Sequence, residues 1–204
     1  MMRLALLSDT HSRHGRLSIP EADLVLHAGD FTRRGRLAEA VSFLDWLATW
    51  PCPRVLIAGN HDYIAEEEPE KIAALCRERE IHYLCDSSVR LSGLTIWGSP
   101  WSPRFGDMAF NLERGPDIAS KWSAIPENLD VLLTHTPPAR ILDRIYSGRH
   151  VGCADLAATI AQRPPRLHAF GHIHESAGET TIEDIRYINA ANCRLIAGIR
   201  PPLV

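Results

Sequence analysis

The chain has 204 residues, 45% of them hydrophobic and 23% charged, with a formal net charge of −3 at pH 7. These are the proportions of a globular chain long enough to bury a substantial core, and one domain over 1–204 is expected. The small negative charge sets up no global field for a polyanion, so an extended nucleic acid is not an expected partner. No run approaches the ~18 apolar residues of a membrane span, so no membrane partner is expected either.

The pattern along the chain alternates short buried runs with amphipathic ones. "RLALLSD" (3–9), "ADLVLHAGD" (22–30) and "PRVLIAGN" (53–60) read as strands ending in polar turns. Between the last two, "GRLAEAVSFLDWLATW" (35–50) carries Leu37, Val41, Leu44 and Leu47 at helical spacing, which makes a strand–helix–strand unit. "EEEPEKIAALCRERE" (66–80) reads as one helix with Pro69 in its first turn, and "SVRLSGLTIWGSPW" (88–101) as a hairpin turning at Ser92-Gly93. "LDVLLTH" (129–135) is a further strand, "GCADLAATIAQR" (152–163) a helix, and "RLHAFGHIH" (166–174) a strand. The stretch from Gly178 to Ile199 alternates as short antiparallel strands do. The expected fold is α/β, a sandwich of two sheets with helices outside. Cys52, Cys76, Cys85, Cys153 and Cys193 are odd in number, with no C-x-x-C pair, and read as free thiols. With no secretory leader in the opening residues, the expected compartment is the cytoplasm.

Five of the strand-like runs stop at residues of ligand type. The first ends in Asp9-Thr10-His11, the second in Gly29-Asp30, and the third in Gly59-Asn60-His61-Asp62. The run at 129–135 ends in His135 and the last in Gly171-His172-Ile173-His174. In α/β sheets the carboxyl edge is where ligands bind. Any one of these ends alone is a turn or a cap; five together call for one explanation. The donors are aspartate, imidazole and amide without thiolate, a set that suits Mn, Fe, Zn, Co or Ni. They are too many for one ion and fit two divalent ions ~3.5–4 Å apart, with Asp30 as the bridging carboxylate. In "GHIH" the alternation at a strand end places His172 and His174 on one side of the chain.

The motifs "SDTHS", "GD", "GNHD", "TH" and "GHIH" stand in the order seen in calcineurin-like metallophosphoesterases, and the sequence resembles that family from residue 9 to 174. "GSPW" (98–101), "FNLERG" (110–115), "VGC" (151–153) and "YINAANC" (187–193) are similar to its small metallophosphoesterase-domain-containing subgroup. The resemblance implies a four-layer α/β/β/α fold. It implies one metal held by Asp9, His11, Asp30 and His174, and a second held by Asp30, Asn60, His135 and His172; manganese is the expected ion, with Fe, Zn, Co or Ni as alternatives. It also implies hydrolysis of small phosphodiesters or nucleotides, cyclic nucleotides among them, with His61 as the general acid. Asp62 is expected either to orient His61 or to cap the segment that follows. Trp101, Asn111 and Arg114 are the expected substrate contacts, an aromatic for a base and an arginine for phosphate. His14, His27, His82, His150 and His168 lack motif context, and His27 and His168 are expected to be packed. The competing functions are a phosphomonoesterase, a purine nucleoside monophosphate-binding protein, and a non-catalytic adaptor on the same fold.

Overall fold

The computed structural model describes residues 2–18, 20–193 and 200–201. In chain order, strands β1 (Leu4–Leu7) and β2 (Leu24–Ala28) precede helix α1 (Leu37–Leu47), strand β3 (Arg54–Ile57) and helices α2 (Tyr63–Glu67) and α3 (Pro69–Glu78). Strands β4 (Ile81–Tyr83), β5 (Ser87–Leu91) and β6 (Leu94–Ser99) follow, then the short β7 (Ser102–Pro103) and β8 (Asn111–Leu112). Helix α4 (Pro116–Trp122), strand β9 (Val131–Thr134), helix α5 (Ala154–Gln162) and strands β10 (Leu167–Phe170), β11 (Gly178–Ile182) and β12 (Ile185–Asn189) complete the described elements.

One sheet is four-stranded and parallel throughout, in the order β1-β2-β3-β4. The other is six-stranded, in the order β11-β12-β10-β9-β6-β5; its centre is parallel and antiparallel hairpins form both edges. Strands buried on both faces read as continuous apolar runs, and that is why "LVLHA" and "VLLT" carry no polar alternation. The inner faces meet in a core that includes Leu6, Leu26, Ile57, Ile96, Leu133 and Ile188. On the outer face of the four-stranded sheet, α1 and α3 pack Phe43, Leu44, Leu47 and Ile72 against Leu7, Val25 and Leu56. On the outer face of the six-stranded sheet, α4 and α5 pack Ile118, Trp122, Leu156 and Ile160 against Leu132 and Phe170. The layers are therefore helix, sheet, sheet, helix.

The differences from the sequence reading are local. The helix expected over 66–80 is two helices: α2 ends at Glu67, and Pro69, which lacks an N–H, starts α3 at its first turn. Strand β4 and helix α4 lie in stretches where no periodic run announces them. The strand expected over 166–174 stops at Phe170, so the two histidines of "GHIH" sit in a loop and a 3-10 turn rather than on a strand. The hairpin at Ser92-Gly93 is present, with φ of 51° and 82° at the two turn residues. Of the terminal stretch, 194–199 lies outside the described residues. Among the described residues no helix is long and apolar enough to cross a membrane, and all five cysteines are free.

Candidate metal centre

All five strand ends converge on one edge of the sandwich. Backbone hydrogen bonds lash the loops after β1 and β2 together: Asp9 N–H donates to Gly29 O (2.9 Å), His11 N–H to Asp30 O (3.0 Å) and Ser12 N–H to Phe31 O (3.0 Å). The loop after β10 joins them through His172 N–H, which donates to Asp9 Oδ2 at 2.9 Å. Asp9, His11, Asp30 and His172 all adopt left-handed φ, 53°, 42°, 57° and 68°. Non-glycine residues hold that conformation at a cost of about 1–3 kcal/mol each, and such strain concentrates where side chains must be aimed. Room for the carboxylates comes from glycine. A Cβ on Gly171 would collide with Ser8 Oγ and Asp9 Oδ2, and one on Gly59 would collide with Asp30 Oδ1.

The side chains fall into two groups that share Asp30. His174 Nε2 lies 3.1 Å from Asp9 Oδ1 and 3.3 Å from His11 Nε2, while His11 Nε2 is 3.7 Å from Asp30 Oδ2. On the other side, Asp30 Oδ1 lies 3.4 Å from His135 Nε2. Asn60 Oδ1 is 2.8 Å from both His135 Nε2 and His172 Nδ1. The two oxygens of the Asp30 carboxylate thus face different imidazoles.

These contacts test whether cations fit. His135 Nδ1 lies 2.8 Å from Ala28 O and His11 Nδ1 lies 3.2 Å from Thr32 O. A carbonyl only accepts, so each Nδ1 carries a proton and each Nε2 is the nitrogen left to face the cluster. Those Nε2 atoms point at carboxylate oxygens, an amide oxygen and a third imidazole. Such a cluster needs positive charge inside it, carried by protons on the imidazoles or by cations seated among the donors. A backbone carbonyl behind each imidazole is the usual support of a metal-ligating histidine. The donor set fits two divalent ions.

The electrostatics agree. Burial alone would raise Asp9, but His174 first, then His135 and His11, outweigh it and hold the carboxyl well below its usual range. Burial raises Asp30 too, yet His135 and His11 bring it lower than an ordinary carboxylate. Burial disfavours a charged His135, but Asp30 and Asp9 overcome it and push the group up to about 9. His172, with burial and His135 acting together, falls to about 4. Two ionised carboxylates draw positive charge into a site largely closed to water.

Among the other expected site residues, His61 is in place. Its ring sits edge-on to His11 at 4.8 Å, its backbone N–H donates to Asp30 Oδ1 (2.8 Å), and its Nδ1 lies 3.2 Å from Arg33 O. Asp62 is not where the sequence reading put it. Its carboxylate neither orients the His61 ring nor caps α2 through a side-chain bond. Instead Oδ2 accepts from Gly59, Asp30 and Phe31 N–H and Oδ1 from Thr32 N–H and Oγ1–H, at 2.7–3.3 Å. The fully buried carboxylate organises the loops that carry Asp30 and Asn60. Burial first, then the Asp30 charge, push it up to about 7 against those hydrogen bonds.

The three expected substrate contacts each have partners within the protein. Trp101 Nε1–H donates to Asp86 (2.9 Å), with Lys121 over the indole and Phe110 at its edge. Asn111 donates to the Phe105 and Gly106 carbonyls, and Arg114 to those of Val151 and Gly152. Each braces a loop. His27 and His168 are buried as expected, their Nε2 atoms 3.2 and 2.8 Å from Thr10 Oγ1 and Thr134 Oγ1. Those two threonines, beside the candidate ligands Asp9, His11 and His135, are the residues the motif reading passed over. A threonine next to each ligand was the only signal for them.

Residues 2–176 match the family described as Calcineurin-like phosphoesterase. The human metallophosphoesterase domain-containing protein 1 is 37% identical over 99% of this chain and 70% of its own length. A probable cyclic nucleotide phosphodiesterase of Synechococcus is 36% identical over 62 residues, 30% of this chain and 22% of that protein. The phosphopantetheinyl hydrolase of Mycobacterium tuberculosis superposes with a TM-score of 0.67 at 15% identity, over 97% of this chain and 89% of that one. With its five converging strand ends, the central Asp30 carboxylate and these similarities, the chain belongs to the calcineurin-like phosphoesterase family of metal-dependent phosphoester hydrolases.

Proposed function

We propose that this protein hydrolyses small phosphodiesters, cyclic nucleotides among them, at a dinuclear centre loaded with manganese. The observation that carries the reading is the Asp30 carboxylate, whose two oxygens face the nitrogens of two different imidazoles. Asp9, His11, Asp30 and His174 would hold one ion, and Asp30, Asn60, His135 and His172 the other. Two ions so held supply activated water near neutral pH and withdraw charge from the phosphoryl oxygens.

The protein's own residues do the rest. His61 offers a ring nitrogen in one cluster with His11 and Asp30, all within 4.8 Å of one another. Because its Nδ1 faces a carbonyl, Nε2 is the nitrogen left for substrate, and in the doubly protonated ring it gives its proton to the oxygen that leaves phosphorus. His11 and His174 are only 12% and 14% exposed, so the opening suits a small ester better than a polymer. The similarity to a probable cyclic nucleotide phosphodiesterase supports the substrate class. The free cysteines fit a reducing, cytoplasmic setting.

The test is hydrolysis of bis-p-nitrophenyl phosphate by protein stripped of metal and reloaded with manganese, beside His61→Ala. Activity should require the metal and fall ~10²–10⁴-fold in the variant. Metal uptake without turnover would overturn the reading in favour of a nucleotide-binding protein or an adaptor. Faster hydrolysis of the monoester would make it a phosphomonoesterase.

A further inference from the structure

The loop between β9 and α5 starts from the ligand His135 and carries a second set of charged groups that the chemistry above does not use. Arg140, Arg144, Arg149 and His150 are all exposed, and Asp143 is the one acidic residue between Ala139 and Gly152. That aspartate is fully buried and belongs to the loop's own framework. Its Oδ2 accepts from Arg140 N–H and Gly152 N–H, both at 2.9 Å, and its Oδ1 meets His150 Nδ1. Within this loop, His150–Asp143 is the one ion pair among the described residues. In a protein of net charge −3, Arg140, Arg144 and Arg149 make no ion pair among the described residues, on a loop that leaves from His135.

The loop is built, not loose. Arg144 and His150 pair across an antiparallel bridge, which puts their side chains side by side on one face. Ile145 N–H donates to Arg149 O (3.1 Å), and Gly148, at φ 82°, closes the turn with its N–H on Ile145 O (2.8 Å). Two clamps fix this hairpin to the segment that holds His172 and His174. Arg144 N–H donates to Ser176 Oγ (3.0 Å), and that hydroxyl donates back to Arg144 O (2.7 Å). Asn189 Nδ2 bridges the Leu142 and Ile173 carbonyls at 3.1 and 2.8 Å. Arg114 pins the base of the hairpin through Val151 O and Gly152 O.

We propose that this hairpin is an anion-binding arm of the site, with Arg144 and His150 as its paired contacts, and that the favoured substrates carry a second phosphate beyond the scissile ester. The inference rests on the phosphoester reading for what the metals hold. Asp143 fixes the His150 ring through Nδ1, so Nε2 is the nitrogen turned to the ligand. Arg144 beside it offers the planar donors that match a phosphate. A prearranged pair loses little freedom on binding, and that favours affinity.

The experiment compares thymidine 3′,5′-bisphosphate with thymidine 5′-monophosphate by calorimetry. It uses manganese-loaded protein in a His61→Ala background, so that neither ligand is turned over. The bisphosphate should bind about tenfold tighter, roughly one charge-assisted contact. Arg144→Gln, which leaves the His150–Asp143 pair intact, should bring the ratio close to one without changing monophosphate affinity. His150→Gln should do the same in part. Equal affinities in the parent protein, or a preference that survives Arg144→Gln, would overturn the arm. If the preference is present while the protein with His61 intact hydrolyses no ester, the phosphoester reading fails and the arm stands.

Discussion

Asp62 gives the sharpest separation between what its sequence position suggests and what its contacts do. Its carboxylate collects four backbone N–H groups and one hydroxyl, with no water-exposed surface. In Asp62→Asn one oxygen can still serve the Gly59, Asp30 and Phe31 N–H groups, but the amide NH2 then points at Thr32 N–H. Leaving one buried donor unsatisfied costs about 1–3 kcal/mol, and loss of charge assistance on the remaining bonds adds roughly 1 kcal/mol. A total of about 2–4 kcal/mol lies within a domain stability of about 5–15 kcal/mol, so the variant should fold. Asp62→Ala strands four donors and should be marginal. Equilibrium urea unfolding of both variants and of His61→Ala measures these costs, with manganese titration of the Asn variant alongside. The expected pattern is a large stability loss with weakened metal binding in Asp62→Asn, and a loss below about 1 kcal/mol in His61→Ala, whose ring is partly open to solvent. If Asp62→Asn instead unfolds like the parent protein, binds manganese normally and loses activity in step with His61→Ala, the carboxylate works through His61 and this reasoning is wrong.

Gly171→Ala would push a methyl group into Ser8 Oγ and Asp9 Oδ2. It should cost about 1–3 kcal/mol by overpacking and weaken the ion beside Asp9 at least about tenfold, measured by urea unfolding and manganese calorimetry; unchanged affinity would contradict the fit. Burial depresses His168 to about 3, so the folded protein keeps it neutral while the unfolded chain protonates it below about 6.5. Its share of stability is present above about 6.5 and is lost as pH falls toward about 3, at about 1.4 kcal/mol per pH unit. His168→Gln should remove that dependence, so its stability relative to the parent protein rises as pH is lowered from 6.5 to 4.5. A parallel pH profile would refute the assignment.

Much of the fold was legible because strands buried on both faces leave continuous apolar runs, and because Leu37 to Leu47 keep a helical period. What escaped was short or depended on tertiary contact. β4 is three residues long, and α4 has seven residues opened by Pro116. The seven candidate ligands could be read because each stands where an apolar run breaks. Their neighbours could not, since adjacency in sequence does not give the direction of a side chain. Asp62 follows His61, yet its carboxylate turns back under the backbone of Gly59 to Thr32. Trp101, Asn111 and Arg114 look like recognition residues in a string of letters, and their partners inside the protein could not be read there. The histidine–carboxylate pair expected at 61 and 62 is found instead at 150 and 143, seven residues apart across a hairpin.

The central claim is that one carboxylate, Asp30, joins two metal sites. The direct measurement is the number of ions bound per chain, by elemental analysis and calorimetric titration of metal-stripped protein with manganese, for the parent and for Asp30→Asn. The account predicts two ions per chain in the parent protein, and a loss of affinity at both sites in the variant. Saturation of the parent at a single ion, or two ions bound as tightly by Asp30→Asn, would contradict it.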